Sequence, residues 1–571
     1  MGLFGSLQTA SNTLQAMQIG LQVTGNNIAN ANTDGFIRER VNYAPAPVQE
    51  IGNLSIGLGV QVDSITQQLD EYLGEQLRDA KADQLSADIQ NDAYKDLERL
   101  IGELSSTDLS TALTDFFGSI EDTLNPTSGD ALSVRNLAVL EGKQLTSEIQ
   151  RIEERAADLR NRYDEQIAAS VDQINSLAAE VRALNVRITQ TEGGRAGASE
   201  AGALRTQRYQ AVNQLTELVD ATVVEQPNGG LSISIGGEFL VFEGQSRAIT
   251  AESGDGSGEA ATRLLFEDTG KQLNVDGGRV HGLTIARDEI VDGFRDDLDA
   301  FAGTLIHEFN RVYSQGQGID GFRTLTSDAP VSDTAVRLDQ AGLPFSPEHG
   351  EFDITVANDR TGDTATSTVA IKLLDTGSGE VTTLADVAAQ LNDVPGLSAS
   401  IDVTGRLTIA TDSDETQFYF SSDTSGFLAS AGLNTFFTGS TAEDIAINRE
   451  LDGIQNAGKF AGSTQGLGST TGNATLLAGL IDRPLDSLEG ATIVEQYDQL
   501  VNELAQNSTV AGSVAEGLGT YADTLANEFQ AVSGVNIDEE ALEMIILQRI
   551  YQATGRYISV IQEMLDTLVR L

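Results

Sequence analysis

Apolar residues at both ends of this 571-residue chain repeat at alternating spacings of four and three positions. Near the amino terminus the repeat runs from Leu3 to Ile28. Its members, here called the N-terminal seam, are Leu3, Leu7, Ala10, Leu14, Met17, Leu21, Thr24 and Ile28. This spacing places apolar side chains along one narrow line of an α-helix, and such a line needs a partner helix to cover it. We therefore expect residues 1–29 to form a helix that packs against another helix.

The last forty residues contain two neighbouring apolar rows, the first of which repeats the four-three spacing. The first C-terminal row comprises Ile546, Ile550, Ala553, Tyr557, Val560 and Met564. The second C-terminal row comprises Leu547, Tyr551, Ile558, Ile561, Leu565 and Leu568. A helix with two neighbouring rows has an apolar face wide enough for more than one partner. We predict that the two chain ends form a coiled coil, with the first C-terminal row as the natural counterpart of the N-terminal seam.

An asparagine-rich segment follows the N-terminal seam and reads Asn26-Asn-Ile-Ala-Asn-Ala-Asn-Thr-Asp-Gly-Phe36. Asparagine and an Asp-Gly pair favour turns and left-handed backbone, so the segment fits the end of a helix. It also fits a polar segment that hydrogen-bonds neighbouring subunits, and spacing alone leaves both interpretations open. The segment resembles the N-terminal signature of bacterial flagellar rod, hook and hook-associated proteins, and this resemblance favours both roles at once.

Further segments resemble the hook-associated protein 1 branch of this axial-protein family. They comprise residues 38–41, 57–62, 309–311, 434–439, 532–541 and 551–568. Two positions depart from the family pattern: Asp34 stands where proline is common, and Gly555 stands where alanine is favoured. Glycine inside a helix costs up to about 1 kcal/mol of helix stability, which weakens the last helix without changing the resemblance.

The resemblance implies a structural subunit of the flagellum that forms a ring of identical copies between hook and filament. The implied partners are the hook protein, the second junction protein and a flagellar export chaperone. The implied location is extracellular, after type III export without a cleaved signal peptide. The signature residues that it assigns to assembly are Asn26, Asn27, Ile28, Ala29, Asn30, Asn32, Thr33, Gly35 and Phe36. The coiled-coil residues, which the apolar spacing predicts, are Leu3, Leu7, Leu14, Met17, Leu21, Ile546, Ile550, Tyr557, Val560, Ile561, Met564, Leu565 and Leu568.

The pattern along the chain predicts a mainly α fold with β-rich middle parts, in four domains. A terminal coiled-coil domain comprises 1–66 and 533–571, and a long-helix domain comprises 67–220, 282–345 and 437–532. A small β-rich part spans 221–281, and an outer α+β insert spans 346–436. Apolar steps of three or four predict one long helix from about Gly142 to Thr191. Residues 453–475 are rich in Gly, Ser and Thr, which favours a linker.

The charge of the chain excludes some partners. It has 35 basic and 85 acidic residues, for a net charge of −50. This surface repels nucleic acid and anionic membranes, so we expect neither as a partner. It also opposes self-assembly unless salt screens the charge. The acidity has two alternative explanations. The charge simply keeps the protein soluble, or, more specifically, the protein works in a salty habitat. The chain has no cysteine, which excludes disulfides and thiolate chemistry, and no cleavable signal peptide is recognisable.

Two short motifs resemble nucleotide-binding and zinc-binding sequences, but each lacks a feature that such a site needs. Residues 316–321 match G-x-G-x-x-G, but no strand precedes them. His307-Glu308 begins like a zinc-protease motif, yet Arg311 occupies the position of the second ligand. We therefore expect no catalytic residue, cofactor or metal. The alternatives are another axial protein (hook, rod or flagellin-like), or a secreted glycan hydrolase with paired carboxylates in a cleft of the insert.

Overall fold

The computed structural model describes residues 3–33, 35–51, 54–102, 108–125, 131–193, 201–242, 244–252, 262–373, 381–468 and 470–570. The chain divides into two compact units, which are described separately. Unit 1 comprises Met1–Ala93, Asn161–Ile290 and Ser508–Leu571, and unit 2 comprises Tyr94–Arg160 and Val291–Asn507. The four-part division expected from the sequence places its boundaries elsewhere and stays a prediction. Asp34 lies outside the described residues.

Helices form most of the described chain. They are α1 Leu3–Ala29, α2 Glu71–Gly102, α3 Leu109–Asp122, α4 Ala131–Thr191, α5 Gly202–Leu218, α6 Gly278–Ile285, α7 Asp292–Tyr313, α8 Leu384–Asn392, α9 Phe427–Ala431, α10 Gly472–Ala478, α11 Ile493–Ser533 and α12 Ile537–Arg570. A π-helical segment, Ala286–Val291, joins α6 to α7. The predicted fold class, mainly α with β-rich middle parts and long terminal helices, is confirmed.

The strands are short and all their pairings are antiparallel. They are β1 Glu39–Pro45, β2 Val48–Ile51, β3 Leu54–Gly57, β4 Val60–Gln67, β5 Thr222–Glu225, β6 Leu231–Ile235, β7 Glu238–Phe242, β8 Gln245–Ser246, β9 Ile249–Glu252, β10 Arg263–Phe266, β11 Thr324–Thr326, β12 Gly350–Asn358, β13 Thr364–Ile371, β14 Leu397–Ile401, β15 Leu407–Thr411, β16 Thr416–Ser421, β17 Phe437–Thr438 and β18 Ala446–Ile447. In unit 1, β1 pairs with β4, β5 to β8 form one sheet in sequence order, and β9 pairs with β10. In unit 2, the sheet orders are β13-β12-β16 and β11-β15-β14, and β17 pairs with β18.

The long helix predicted from apolar spacing is α4. Its predicted apolar positions are buried: Leu145, Ile149, Ile152, Ala156, Leu159, Tyr163, Ile167, Val171, Ile174, Leu177, Val181, Leu184 and Ile188. The predicted start at Gly142 is wrong, because α4 begins at Ala131. A Cβ atom at Gly142 would lie 2.7 Å from the Phe436 ring. This glycine therefore permits close packing inside the helix and does not mark its end.

Unit 2 contains an aromatic cluster that unites two of the segments singled out in the sequence. The Phe309 ring lies 5.2 Å from the rings of Phe436 and Phe437. Asn310 accepts hydrogen bonds from both of their backbone amides, at 3.0 and 3.1 Å, and donates to the Phe437 carbonyl oxygen at 2.9 Å. Because Asn310 is buried, these bonds fix residues 436–437 to α7. The 309–311 and 434–439 segments thus form one structural element.

The insert has its own apolar core, which starts earlier than the predicted boundary at 346. Strands β12, β13 and β16 and helix α8 supply most of that core. Phe322, Leu325 and Leu338, which precede the predicted boundary, belong to the same core. Residues 324–326 also pair with β15 as strand β11. The structural body of the insert therefore includes residues from 322 onward.

The Gly/Ser/Thr-rich segment 453–475 is not a linker, so that expectation is wrong. Phe460, Ala461 and Ser463 are buried. Ser463 exchanges backbone hydrogen bonds of 2.9 Å with Gln317. A Cβ atom at Gly316 would collide with the Ala461 carbonyl oxygen. Small residues on both sides let two backbones approach closely, which explains the composition of both segments.

Candidate functional site

Helices α1 and α12 form an antiparallel pair in unit 1. Ala16 and Met17 of α1 pack with Leu547 of α12, and Val60 and Val62 of β4 pack against the same cluster. At the centre, a Cβ atom at Gly20 would collide with the Tyr43 hydroxyl and lie 3.1 Å from Leu547 Cδ1. A side chain at this position would therefore have to displace Tyr43 and Leu547, so glycine allows the two helices and the β1–β4 pair to approach closely.

The N-terminal seam is only partly covered within one chain. Its members Ala10, Met17 and Thr24 are buried. Its other members, Leu3, Leu7, Leu14, Leu21 and Ile28, keep part of their surface exposed. The buried line of α1 also includes Ala16, Gly20, Val23 and Asn27. Because these residues lie beside the predicted seam, part of the seam remains available to a further partner.

The pairing predicted for α12 is wrong within one chain, because the second C-terminal row faces α1. Leu547 and Ile561 of that row are buried, Ile558 and Leu565 are half-buried, and Tyr551 and Leu568 are exposed. The first row lies outside, with exposed fractions from 38% at Ile550 to 52% at Ile546. We call Leu542, Ile545, Ile546, Ile550, Tyr557, Val560 and Met564 the exposed α12 face. The small residues of α1 explain the choice, since they admit Leu547 above Gly20.

A buried polar cluster, here called the polar junction, joins the two chain ends. The carboxylate of Glu540 accepts from Arg38 Nε at 2.7 Å and from Asn27 Nδ2 at 3.0 Å. Asn27 also donates to the Glu39 carbonyl oxygen at 2.8 Å and accepts from the Glu39 amide at 3.1 Å. The Glu540 side chain is 3% exposed. Burial of a carboxylate is costly unless it is paired, so these partners fix the register of α12 on α1.

Other residues of the asparagine-rich signature close the end of α1. Asn30 Nδ2 donates to the carbonyl oxygen and the side-chain Oδ1 of Asn26, each at 2.9 Å. Gly35 has φ +69°, a left-handed conformation that favours glycine. Asn26, Ala29, Asn32 and Thr33 are exposed, while Ile28, Gly35 and Phe36 are half-buried. Asn27 therefore acts inside the chain, and the exposed asparagines keep hydrogen-bonding groups for a neighbour.

Titratable groups beside the polar junction are affected by burial. Burial raises the pKa of Glu39, against a smaller opposing effect from a hydrogen bond of Asn26. Burial and the nearby Glu543 carboxylate raise the pKa of Tyr43. Both groups are held in their neutral forms more readily than in water, which suits a region of close packing.

Sequence reasoning missed Glu540 as a functional residue, although a signal was present. Glu540 stands seven positions before Leu547, so it occupies the same line of the helix as the second C-terminal row. A carboxylate on a buried line predicts a buried polar partner. That partner, Arg38, lies in a segment recognised by its resemblance, but the sequence did not connect the two.

The motifs that suggest chemistry have structural explanations. A Cβ atom at Gly321 would lie 2.9 Å from the Phe418 carbonyl oxygen, so this glycine serves backbone packing. His307 packs against Phe345 with ring centres 4.7 Å apart, and burial lowers its pKa. Across the described residues, no group of three or more His, Asp or Glu side chains could hold a metal ion. Nor is any helix among them long and apolar enough to span a membrane.

Three family models match parts of this chain. Residues 7–36 match the flagella basal body rod protein model, and residues 526–571 match the flagellar basal body rod FlgEFG protein C-terminal model. These two matches cover α1 with its signature and α12. The two ends of this chain are therefore similar to the terminal regions of flagellar rod proteins.

The middle of the chain resembles one particular kind of axial protein, the hook-associated proteins. Residues 94–326 match the model of the flagellar hook-associated protein FlgK helical domain. Flagellar hook-associated protein 1 of Escherichia coli is 23% identical over 585 residues, covering 99% of both chains. The Bacillus subtilis protein of that name is 23% identical over 580 residues, covering 99% of this chain and 98% of its own. The resemblance to hook-associated protein 1 is confirmed.

A solved structure shares the fold. The structure of the flagellar hook junction protein FlgK from Burkholderia pseudomallei aligns with a TM-score of 0.52 at 15% identity. The alignment covers 80% of this chain and 100% of that chain. The architecture described here is therefore that of a known flagellar protein fold.

Proposed function

We propose that this protein is a structural subunit of the bacterial flagellum that forms the junction ring between hook and filament. The exposed α12 face carries the proposal. Monomeric proteins rarely expose a contiguous apolar patch of this kind, and such patches mark interaction sites. Because α12 already has one partner in α1, its second face is free for a neighbouring subunit. Similarity to hook-associated protein 1 along the whole chain supports the junction position.

The proposed partners follow from this arrangement. Identical copies would pack through the exposed α12 face and the uncovered part of the N-terminal seam, which gives a homo-oligomeric ring. The hook protein and the second junction protein would contact the two ends of that ring. The distribution of charge supports packing between identical copies. Two acidic chains repel each other where charged surfaces meet, whereas Ile545, Ile546 and Ile550 offer an uncharged surface.

Imaging of cells that lack the gene tests the proposal. We expect complete hooks without filaments, and restoration by the wild-type gene. A hook protein or a rod protein would instead leave no hook when deleted, and a flagellin would leave the junction intact. A secreted glycan hydrolase would leave junctions assembled but alter cell-wall glycan. Filaments still attached to hooks in the deleted strain would contradict the proposal.

We further propose extracellular location after export without a cleaved signal peptide. Ala10, Ala16 and Met17 lie in the buried line of α1. Removal of the first 20–30 residues would therefore uncover Leu547 and dismantle the terminal pair. N-terminal sequencing of protein recovered from flagella should begin at or next to residue 1. A start beyond the N-terminal seam would contradict uncleaved export.

A flagellar export chaperone is proposed to cover α12 before assembly. The exposed α12 face would otherwise promote aggregation of the free subunit. A chain that ends at Gly534 lacks α12 but keeps α11. We expect this truncated chain to lose chaperone binding in a pull-down, while the full chain binds. Equal binding of both chains would place the chaperone site elsewhere.

A further inference from the structure

Unit 1 contains a pocket that the proposed function does not use. Its volume is about 370 Å³, and its walls come from the start of α2, from α5 and from strands β5 and β6. Much of the wall is apolar, with Ile37, Leu69, Val212, Val223 and Leu231. The volume lies at the lower end of the range for sites that hold small organic ligands. We call this site the α2–α5 pocket.

Arg208 lines the α2–α5 pocket as a buried guanidinium group without a carboxylate partner. Arg208 is 3% exposed. Its Nη1 atom donates to Asn185 Oδ1 at 3.0 Å and to the Gly229 carbonyl oxygen at 2.7 Å. Among the residues that the structure describes, Nε and Nη2 have no hydrogen-bond partner and no carboxylate forms an ion pair with this side chain. The nearby Glu225 binds Arg205 instead, at 2.8 Å.

This arrangement leaves a buried charge incompletely compensated. Burial lowers the pKa of Arg208 to about 10, so the guanidinium group is still charged at neutral pH. A buried charge is costly unless it is paired, and the two neutral acceptors satisfy only one of its three nitrogens. A carboxylate in the pocket would supply the missing partner, because its two oxygens match the donor geometry of a guanidinium group.

A second arginine, Arg78, lines the same pocket. It too forms no ion pair within the described part of the chain. A Cβ atom at Gly74 would lie 3.5 Å from Arg78 Nη1 and 3.6 Å from the Tyr209 hydroxyl, so these two polar groups lie on the same side of the pocket. The Tyr209 ring stacks on Phe529, with ring centres 6.0 Å apart and planes 4° apart. This stacking fixes the aromatic part of the wall.

We infer that the α2–α5 pocket binds a small organic carboxylate with an apolar body, whose carboxylate group pairs with Arg208 and Arg78. The apolar body would pack against the apolar wall, which an inorganic anion could not do. Glu71 and Glu75 also line the pocket, but both are exposed. Solvent and salt screen exposed charges much more than buried ones. The buried arginine therefore dominates the interaction with an anion.

Binding of matched acids and amides to the purified full chain tests the inference. The probes are hexanoate, octanoate and phenylacetate, each compared with its own primary amide at neutral pH. Because the apolar body is the same within each pair, only the charge differs. Calorimetry should show one saturable site per chain for at least one acid. Its amide should bind roughly tenfold more weakly, since hydrogen bonds between charged groups are about twice as strong as neutral ones.

Three variants locate the bound acid. Arg78→Gln should weaken binding of the acid by roughly tenfold and leave binding of the amide unchanged. Arg208→Gln should abolish the preference for the acid. Because Arg208 also holds Asn185 and Gly229, urea denaturation must show that this variant is folded, and otherwise Arg78→Gln decides alone. The control, Arg182→Gln, removes one positive charge from an exposed position of α4 and should bind like the wild type.

The other outcomes overturn the inference. Absence of saturable binding by all three acids would do so directly. Equal affinity for each acid and its amide would assign the binding to apolar contact alone, for example at the exposed α12 face. Equal losses in Arg78→Gln and Arg182→Gln would show that the acids respond only to net charge. Each of these results leaves the proposed junction function intact, because imaging of the deleted strain does not depend on this pocket.

Discussion

The insert and the terminal helix pair use apolar residues in opposite ways. In the insert, Phe352, Phe418 and Phe420 are fully buried within one chain, and both sheets and α8 contribute to a single core. In the terminal pair, the buried cluster is small and centres on Ala16, Met17 and Leu547, while a row of large apolar residues stays outside. The core of the insert is therefore complete within one chain, whereas the terminal pair leaves apolar surface exposed, which neighbouring subunits would cover in the proposed ring.

The largest expected effect comes from removing the insert at two alternative boundaries. Excision of 346–436 deletes Phe436, which belongs to the aromatic cluster around Phe309. Loss of a buried phenylalanine costs roughly 3–5 kcal/mol, so this chain should not fold stably. Excision of 322–433 with a short flexible linker removes one whole core and spares the cluster. We expect soluble protein and attached filaments only from the second deletion.

Urea denaturation and counts of attached filaments distinguish the two deletions. If the 346–436 deletion supports attachment as well as the 322–433 deletion, the insert boundary drawn from the core is wrong. If neither does, the insert takes part in assembly and the contrast between the two regions fails.

Two aspartate substitutions on α12 separate folding from assembly. Ile561 is 0% exposed, whereas Ile546 is 52% exposed. Ile561→Asp buries an unpaired carboxylate and should destabilise the terminal pair by at least about 3 kcal/mol. Ile546→Asp should change monomer stability by less than about 0.5 kcal/mol. Both variants should lose filament attachment, for different reasons.

Hydrogen exchange of the purified monomers measures the difference. Faster exchange in α1 and α12 is expected for Ile561→Asp alone. Normal filament attachment by Ile546→Asp would show that the exposed α12 face has no role in assembly.

Substitution of Arg38 in the polar junction should destabilise the terminal pair by a smaller amount. Arg38→Met leaves the buried Glu540 without its charged partner and should cost about 2 kcal/mol, the range for a hydrogen bond to a charged group. Adding Glu540→Gln removes the stranded charge and should recover part of that loss. A double-mutant cycle from urea denaturation gives the coupling between the two side chains. Additive effects would show that Arg38 and Glu540 act independently.

The smallest effect concerns pH. Burial raises the pKa of Glu39 above its usual value, so the folded state binds this proton more tightly than the unfolded state does. Wild-type stability should therefore fall as pH rises from the ordinary carboxyl range through the raised pKa. Glu39→Gln should lack this decline and be more stable at neutral pH, by under about 1 kcal/mol. The two chains should converge in acid, and a constant difference across pH would contradict the assignment.

The sequence predicted where the helices lie better than it predicted which of their faces pack together. Apolar spacing identified α4 from residues such as Ile149, Ile174 and Ile188, because a buried line leaves a periodic trace. It also located α1 and α12 from their seams. The same spacing could not decide which row of α12 faces α1, since the first and second rows are equally apolar. That choice depends on the close approach of Leu547 to Gly20, and a single glycine produces no repeating pattern in the sequence.

Boundaries and polar contacts were the least predictable features. Gly142 looked like a helix start, but its glycine accommodates Phe436, a residue nearly three hundred positions away in the sequence. The contacts of Asn310 with the backbone of residues 436–437 were likewise invisible, because hydrogen bonds to distant backbone carry no local pattern. For the candidate site, family resemblance selected the right segments, and only the structure paired Asn27 with Glu540.

The polar junction also affects the order in which parts of the chain can fold. Asn27 and Glu540 are separated by 513 positions, so their contact is among the least local that this chain can make. Contacts of such long range form late, after the intervening chain has been organised. A chain that has not yet delivered its last forty residues cannot supply the Glu540 carboxylate to Asn27 and Arg38, however well its middle has folded. The terminal pair can therefore form only after α12 has been delivered, and the surface that the proposed ring would use exists only from then on.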